Sequence, residues 1–307
     1  MEHEFLVPFP TRPPACVTTD EVKQLVINAD DFGLDPAVNA AIAKAHTDGL
    51  LTSASLLIAA PHAAEAIEFA RFHPHLGVGL HLCLVDGRSA ALPDKIPSLA
   101  TAMGQLPPSP FALSVRLSSN KQLETDIEIE LRAQISQFMT TGLRPTHFDT
   151  HQHTHLHPRV RNIVARLARE YGVTYIRAPV EPLWPALCCS PQRLPRKLVR
   201  WTIFSTLGSW TKRQLRQQGF RTVDCAVGVL DPGHLTEEFL APYLRRLPDG
   251  LTEVFFHPAD RPAEPLLQMQ RGYEHAAELQ ALCSPQLRQL INDSGIRLTN
   301  FRELAPP

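Results

Sequence analysis

Cysteine is scarce and unpatterned in this chain. Six are present (Cys16, Cys83, Cys188, Cys189, Cys225 and Cys283), and none sits in a Cys-x-x-Cys pair. Neither a redox pair nor a disulfide framework is signalled, and reduced cytosolic thiols are expected. Long apolar runs are missing too: no stretch has the length and purity of a transmembrane helix. The first residues, MEHEFLVPFP, carry acidic groups and no apolar core, which argues against a secretion signal. A cytoplasmic location follows as the expectation. Excess charge of either sign is absent, with a formal net charge of -1. That argues against bulk electrostatic binding of nucleic acid, though not against a local basic patch. No repeat of fixed period is visible.

What is there is ordinary globular material: 44% hydrophobic and 20% charged residues over 307 positions. We expect a Pro- and Thr-rich tail over 1–20 and one domain over 21–307. The 28 prolines mark many loop boundaries.

The densest chemistry lies in Thr146-His147-Phe148-Asp149-Thr150-His151-Gln152-His153-Thr154-His155-Leu156-His157. His147, Asp149, His151, His153, His155 and His157 recur at every second position, so an extended strand would turn them to one face. Imidazoles beside a carboxylate are the usual donors of a hydrolytic metal site. A catalytic metal needs about three protein ligands, so several of these histidines must serve otherwise. Asp149 is a candidate to orient a ligand histidine. His153 and His155 are candidates to line a substrate site or simply to pack.

Strands and helices alternate along the chain. Leu25–Ala29 reads as a buried strand that ends in Asp30-Asp31-Phe32-Gly33. Asp35-Pro36 starts a helix over Ala37–His46. Ser53–Ile58, Leu76–His81, Val173–Arg177, Val223–Val227, Thr252–His257 and Ile296–Leu298 read as further strands. Helices are expected over Ala63–Phe72, Leu123–Met139, Arg159–Tyr171 and about 274–293. Segments 86–120 and 180–220 break the pattern and read as inserted surface excursions. The alternation implies an α/β fold of parallel units, either a barrel or an open sheet. In both, the active site lies at the carboxyl ends of the strands. Asp30-Asp31, His81, His151, Arg177 and His257 all fall at such ends. Adjacent aspartates there can divide their roles, one facing a metal and the other the substrate side. Arg177 could hold a sugar hydroxyl or Asp30, or form a surface ion pair.

The runs Val26-Ile27-Asn28-Ala29-Asp30-Asp31-Phe32-Gly33-Leu34, Gly49-Leu50-Leu51-Thr52-Ser53, Gly77-Val78-Gly79-Leu80-His81-Leu82, Thr146–His151 and Val254-Phe255-Phe256-His257-Pro258 together resemble the YdjC-like (ChbG) carbohydrate deacetylase family. The resemblance spans about 24–303. Leu84–Ser89, Leu92–Pro97 and Gly250–Ala259 are similar to its hopanoid-biosynthesis-associated branch, the HpnK-like proteins. The resemblance implies a distorted TIM-like (β/α) barrel and metal-dependent removal of the acetyl group from an N-acetylated amino sugar. It implies Asp31, His81 and His151 as metal ligands, Asp30 as general base, and His257 as the acid or oxyanion-stabilising group. One divalent ion is expected, Zn favoured, with Co, Ni, Mn or Mg admitted. The branch implies an N-acetylglucosaminyl hopanoid as substrate. Soluble chitooligosaccharides are the alternative, and a non-catalytic metal-containing glycan- or headgroup-binding protein is a second. A phosphoesterase would use two metals and more carboxylates.

Residues 190–219 contain seven basic residues and no acidic one. Val199, Ile203, Leu207 and Trp210 share a helical face. Such a helix is either a membrane-surface element at the inner membrane or one packed on the barrel with a solvated rim. Homodimerisation is left open.

Overall fold

Lys23–Phe32 forms β1, and everything else is built around it. The computed structural model describes residues 22–190 and 192–304; the tail expected over 1–20 lies outside them. β1 is buried from Leu25 to its end, as expected of a strand covered on both faces. It pairs in parallel with β2 (Ser53–Leu56), β6 (Gly250–Phe256) and β7 (Arg297–Thr299). β7 takes the edge of β1 over Gln24–Val26, and β2 takes that edge from Asn28 onward. Adding β3 (Gly77–Leu82), β4 (Phe148–Thr150) and β5 (Cys225–Val227) gives the order β4-β3-β2-β1-β6-β5, with every pair parallel. The strands curl into a partial barrel with helices outside. The expected distorted TIM-like barrel is the observed one.

The helices follow from local chemistry. α1 (Pro36–Thr47) starts where the Asp35 carboxylate accepts from the Ala37 N–H at 2.8 Å, with Pro36 in its first turn. α2 is Ala63–Phe72. α4 (Gln122–Thr140) buries Leu123, Ile127, Leu131, Ile135 and Phe138, one stripe at helical spacing. Each such side chain contributes roughly 1.5–3 kcal/mol by leaving water. α5 (Pro158–Glu170) packs beside it.

Three expectations need correction. The 86–120 excursion contains a helix, α3 (Pro110–Ser119), capped by Ser109, whose hydroxyl accepts from the Ala112 N–H. In segment 180–220 the helix expected through Val199, Ile203, Leu207 and Trp210 is present, as α7 (Leu194–Ile203), a π turn over Phe204–Gly208 and α8 (Ser209–Gln217), preceded by α6 (Leu183–Cys189). After α9 (Glu237–Arg245) and α10 (Glu264–Met269), the helix expected over 274–293 is two, α11 (His275–Leu282) and α12 (Pro285–Asp293). Ser284 and Pro285 restart it. Val173–Arg177 is no ladder strand. It makes single bridges, Phe148 to Ile176 and Tyr175 to Arg221, along the seam between β4 and β5. Among the described residues no helix is long and apolar enough to cross a membrane.

Candidate metal centre and active site

The site begins with a defect in β1. Ala29 pairs with Ala54 and Phe32 with Leu56, so β1 carries one residue more than β2 over this stretch. Asp31 absorbs the extra residue in the left-handed region, at φ 63°. In a regular strand, neighbouring side chains point to opposite faces. A bulge breaks that rule and re-aims a side chain. Asp30 and Asp31 thus reach the same end of the barrel. Gly33 completes the turn at φ +93°, where a Cβ would meet the Ala63 Cα at 3.0 Å.

Three expected ligands converge. The Asp31 Oδ1 lies 3.1 Å from the His151 Nδ1 and 3.6 Å from the His81 Nε2. All three residues are buried. His81 comes from β3 and His151 from just after β4. The His81 Nδ1–H donates to the Asp149 Oδ1 at 2.8 Å, which turns Nε2 toward Asp31. The Asp31 Oδ1 is buried and lacks a hydrogen-bond donor, its contact with His151 being close without hydrogen-bond geometry. One unpartnered carboxylate oxygen between two imidazole nitrogens is a donor set that fits a divalent transition metal.

Behind the triad stands a buried ionic hub. The Arg177 guanidinium reaches Asp30 at 2.7 and 2.8 Å, Asp149 at 2.8 Å and Glu253 at 2.7 and 3.0 Å. It is therefore no surface ion pair. Ser55 donates to the Asp149 Oδ2 and accepts from the Asn28 amide, which also donates to the Asp30 Oδ1. Burial alone would raise the Asp31 and Asp149 carboxyls. His151 and His81 outweigh it at Asp31, Arg177 and His81 at Asp149, and both are held well below the usual carboxylate range. Burial opposes protonation of His81, yet Asp149 and Asp30 win and lift it to about 9. Burial pushes Glu253 up to about 7 despite Arg177.

Asp30, Asp31, His81, His151 and His257 open on one cavity of about 790 Å³, walled by Phe111, Phe204, Phe255 and Tyr273 among others. A second cavity of about 680 Å³ adjoins it and shares Asp86, His151 and Met269. His257, one residue past β6, is fixed through its backbone: its N–H donates to Glu278 at 2.6 Å and its carbonyl accepts from the His275 Nδ1 at 2.6 Å. Burial holds its imidazole below the ordinary value.

The remaining histidines part company. The strand ends at Thr150, and Gln152 and His153 turn left-handed at φ 53° and 55°, which stops the two-residue alternation. His153 lines the cavity between the Phe204 and Phe255 rings. His155 turns away, its Nε2–H donating to the Arg177 carbonyl at 2.8 Å and its Nδ1 accepting from the Thr150 hydroxyl. His147 packs inside against Ser55. His157 caps α5. Residues not foreseen from sequence are Glu253, Gln270, Tyr273 and Glu278. Glu253 did carry a signal, a lone acid in the apolar run of β6. Gln270 lies in an irregular connection and carried none.

The chain is 33% identical over 279 residues to a carbohydrate deacetylase of Geobacillus stearothermophilus, covering 91% of this chain and 96% of the relative. It is 28% identical over 290 residues to a chitooligosaccharide deacetylase of Serratia marcescens, covering 92% and 99%. A solved structure from Enterococcus faecalis V583, described as a cellobiose-phosphate cleavage protein, superposes with a TM-score of 0.72 at 27% identity, covering 93% of this chain and 100% of that one. The YdjC-like protein family matches residues 24–293, and the chain belongs to that family.

Proposed function

We propose that this protein is a hydrolase that removes the acetyl group from an N-acetylated amino sugar. The observation that carries the reading is Asp30, a buried carboxylate held by Arg177 beside three donors that could hold a metal ion, all on one cavity. The named activity of the carbohydrate deacetylase relatives supports it. Asp31, His81 and His151 would hold one divalent ion, which would polarise the amide carbonyl and acidify water. Two nitrogen donors and one oxygen suit Zn best, and Co, Ni or Mn better than Mg. Asp30 takes the proton of the attacking water. Arg177 keeps that carboxylate oriented through two hydrogen bonds. His257, on the same cavity wall, delivers a proton to the amine nitrogen as the C–N bond breaks, and acetate and a free amine leave. His153 and the cavity aromatics face the sugar.

The finer reading is an amino sugar joined to a lipid, as in an N-acetylglucosaminyl hopanoid. It is favoured by the cavity's rim, where Phe111, Ile203, Leu207 and Met269 are 79%, 46%, 41% and 46% exposed. Val199 and Trp210 extend the same apolar face of α7 and α8 into solvent. Part of the basic charge beside it is committed: Arg193 and Lys197 pair with Asp231, and Arg216 with Asp224. Loss of liposome binding in an Ile203→Asp/Leu207→Asp variant that still hydrolyses soluble sugars would support this reading, and unchanged binding would sink it.

Acetate release from N,N'-diacetylchitobiose and from the N-acetylglucosaminyl hopanoid, with and without chelator, tests the whole. Chelator-sensitive release from the hopanoid alone supports the lipid reading, and release mainly from chitobiose replaces it with the chitooligosaccharide reading. We expect Asp30→Asn to lower kcat by roughly 10²–10⁴ while retaining metal. Bound metal with no acetate from either substrate would favour the non-catalytic binding protein.

A further inference from the structure

We infer that Gln270 is a latch by which the connection after β6 holds the metal ligand Asp31, so that closure of this cavity wall and retention of the metal are one coupled event. The inference rests on the metal-site reading above.

Gln270 follows α10 in the connection over 258–274. Its own N–H donates to the Leu266 carbonyl at 2.9 Å, and its carbonyl accepts from the Tyr273 N–H at 3.2 Å, so its backbone is fixed. Its side-chain Nε2 donates to the Asp31 Oδ2 at 2.7 Å, across 239 positions of sequence. The amide orientation follows from chemistry, because an ionised carboxylate only accepts and the nitrogen must face it. With Oδ2 engaged, Asp31 is left one oxygen, Oδ1, and this is the unpartnered atom beside His81 and His151. Gln270 therefore selects single-oxygen ligation by Asp31.

The same connection forms a wall of the cavity through Met269, Gln270 and Tyr273. It is tied down at its ends, where the Asp260 N–H donates to the Ala37 carbonyl and the Glu274 N–H to the Gly233 carbonyl. Between them, Leu267 and Met269 stay exposed. The Gln270 Oε1 is buried without a partner, so the charge-assisted bond to Asp31 is what orients this amide. Whatever fixes Asp31 then fixes the wall, and by linkage a fixed wall favours the ion to the same degree.

The test uses Zn²⁺ alone, with no substrate. Its affinity is measured by chelator competition for wild type, Gln270→Ala and the isosteric Gln270→Glu, alongside trypsin cleavage at Arg271–Gly272. We expect Gln270→Ala to lose roughly 10–100-fold in affinity. Gln270→Glu, which sets a carboxylate against Asp31, should lose more. Zn²⁺ should slow cleavage at Arg271 in wild type and not in Gln270→Ala. Wild-type affinity in Gln270→Ala, or cleavage in wild type indifferent to Zn²⁺, overturns the latch while leaving the metal site standing. Wild type that binds no Zn²⁺ overturns both.

Discussion

Arg177 shows how far single residues depend on one another here. Its guanidinium is fully buried and serves three carboxylates, and the Phe255 ring lies 4.5 Å from its centre. Removing one partner of a buried ionic group strands the others, typically at 3–5 kcal/mol. We therefore expect Arg177→Met to destabilise the fold by at least about 3 kcal/mol in urea unfolding. A loss below about 1 kcal/mol would mean that water or protons already neutralise the hub. Glu253 tests the same hub through pH. Its carboxyl is raised from 4.5 to about 7, so the folded chain keeps a proton there that the unfolded chain has released. Stability from this group is complete below pH 4.5 and is lost as pH rises through about 7. Glu253→Gln lacks that loss. The variant's stability relative to wild type should thus climb between pH 5 and pH 8, and a gap that stays constant would show Glu253 to be ionised throughout. At this scale the sequence was readable where residue type alone is diagnostic. Asp30, Asp31, His81 and His151 could be placed together because all four fall at strand ends, and they do open on one cavity; their separate roles as ligands and base came from the family resemblance. The roles of His147, His153 and His155 could not be read, since each depends on which neighbour its ring meets after the chain turns at Gln152.

Elements were legible where period and caps agreed. The Asp35-Pro36 start of α1 and the apolar stripe of α4 both appear in the fold. They were missed where proline obscured the pattern. Ser109-Pro110 starts α3 and Ser284-Pro285 starts α12, each a cap followed by a first-turn proline. Val173–Arg177 has strand composition, yet strand propensity cannot supply a partner edge, and single bridges are all it makes. Elements also constrain one another at close range, and Gly79 in β3 is the sharpest case. A Cβ there would meet the His147 ring at 2.3 Å. That ring cannot yield easily, being held by Ser55 at one nitrogen and Thr146 at the other. We predict that Gly79→Ala costs roughly 1–3 kcal/mol through overpacking. It should also displace β4, which pairs with β3 from Phe148 to Thr150 and carries His151 just beyond its end. Zn²⁺ affinity should therefore fall together with thermal stability. A variant as stable as wild type with full affinity would show that β4 can shift without disturbing the triad.

At the scale of the whole molecule the barrel is strong on one side and stitched on the other. β1 to β6 is paired over Lys23–Ala29 and β1 to β2 through two stretches. Backbone pairing across the seam between β4 and β5 is a set of isolated bonds: Phe148 N–H to Tyr175, Arg177 N–H to Phe148, Ile176 N–H to Arg221, Arg221 N–H to Thr174 and Ala226 N–H to Val180, helped by the Glu181 carboxylate, which accepts from the Gly228 and Leu230 N–H groups. A short, irregular set of bonds opens at lower free energy than a continuous ladder. Yet this seam carries Arg177, whose side chain reaches across the interior to Asp30 on β1 and Glu253 on β6. The buried ion cluster thus does for the seam what ladder bonds do elsewhere, and barrel closure depends on the residues that hold Asp30, the proposed general base. Hydrogen exchange distinguishes this from a seam held by packing alone. In wild type the amides of Ile176, Arg177 and Arg221 should exchange sooner than those of Val26 to Ala29, but later than those of exposed loops. In Arg177→Met the seam amides should lose most of their protection while the β1 amides fall only with global stability. Equal loss at both places would mean that the seam opens only when the whole barrel unfolds, and that the Arg177 cluster stabilises the molecule without specifically closing it.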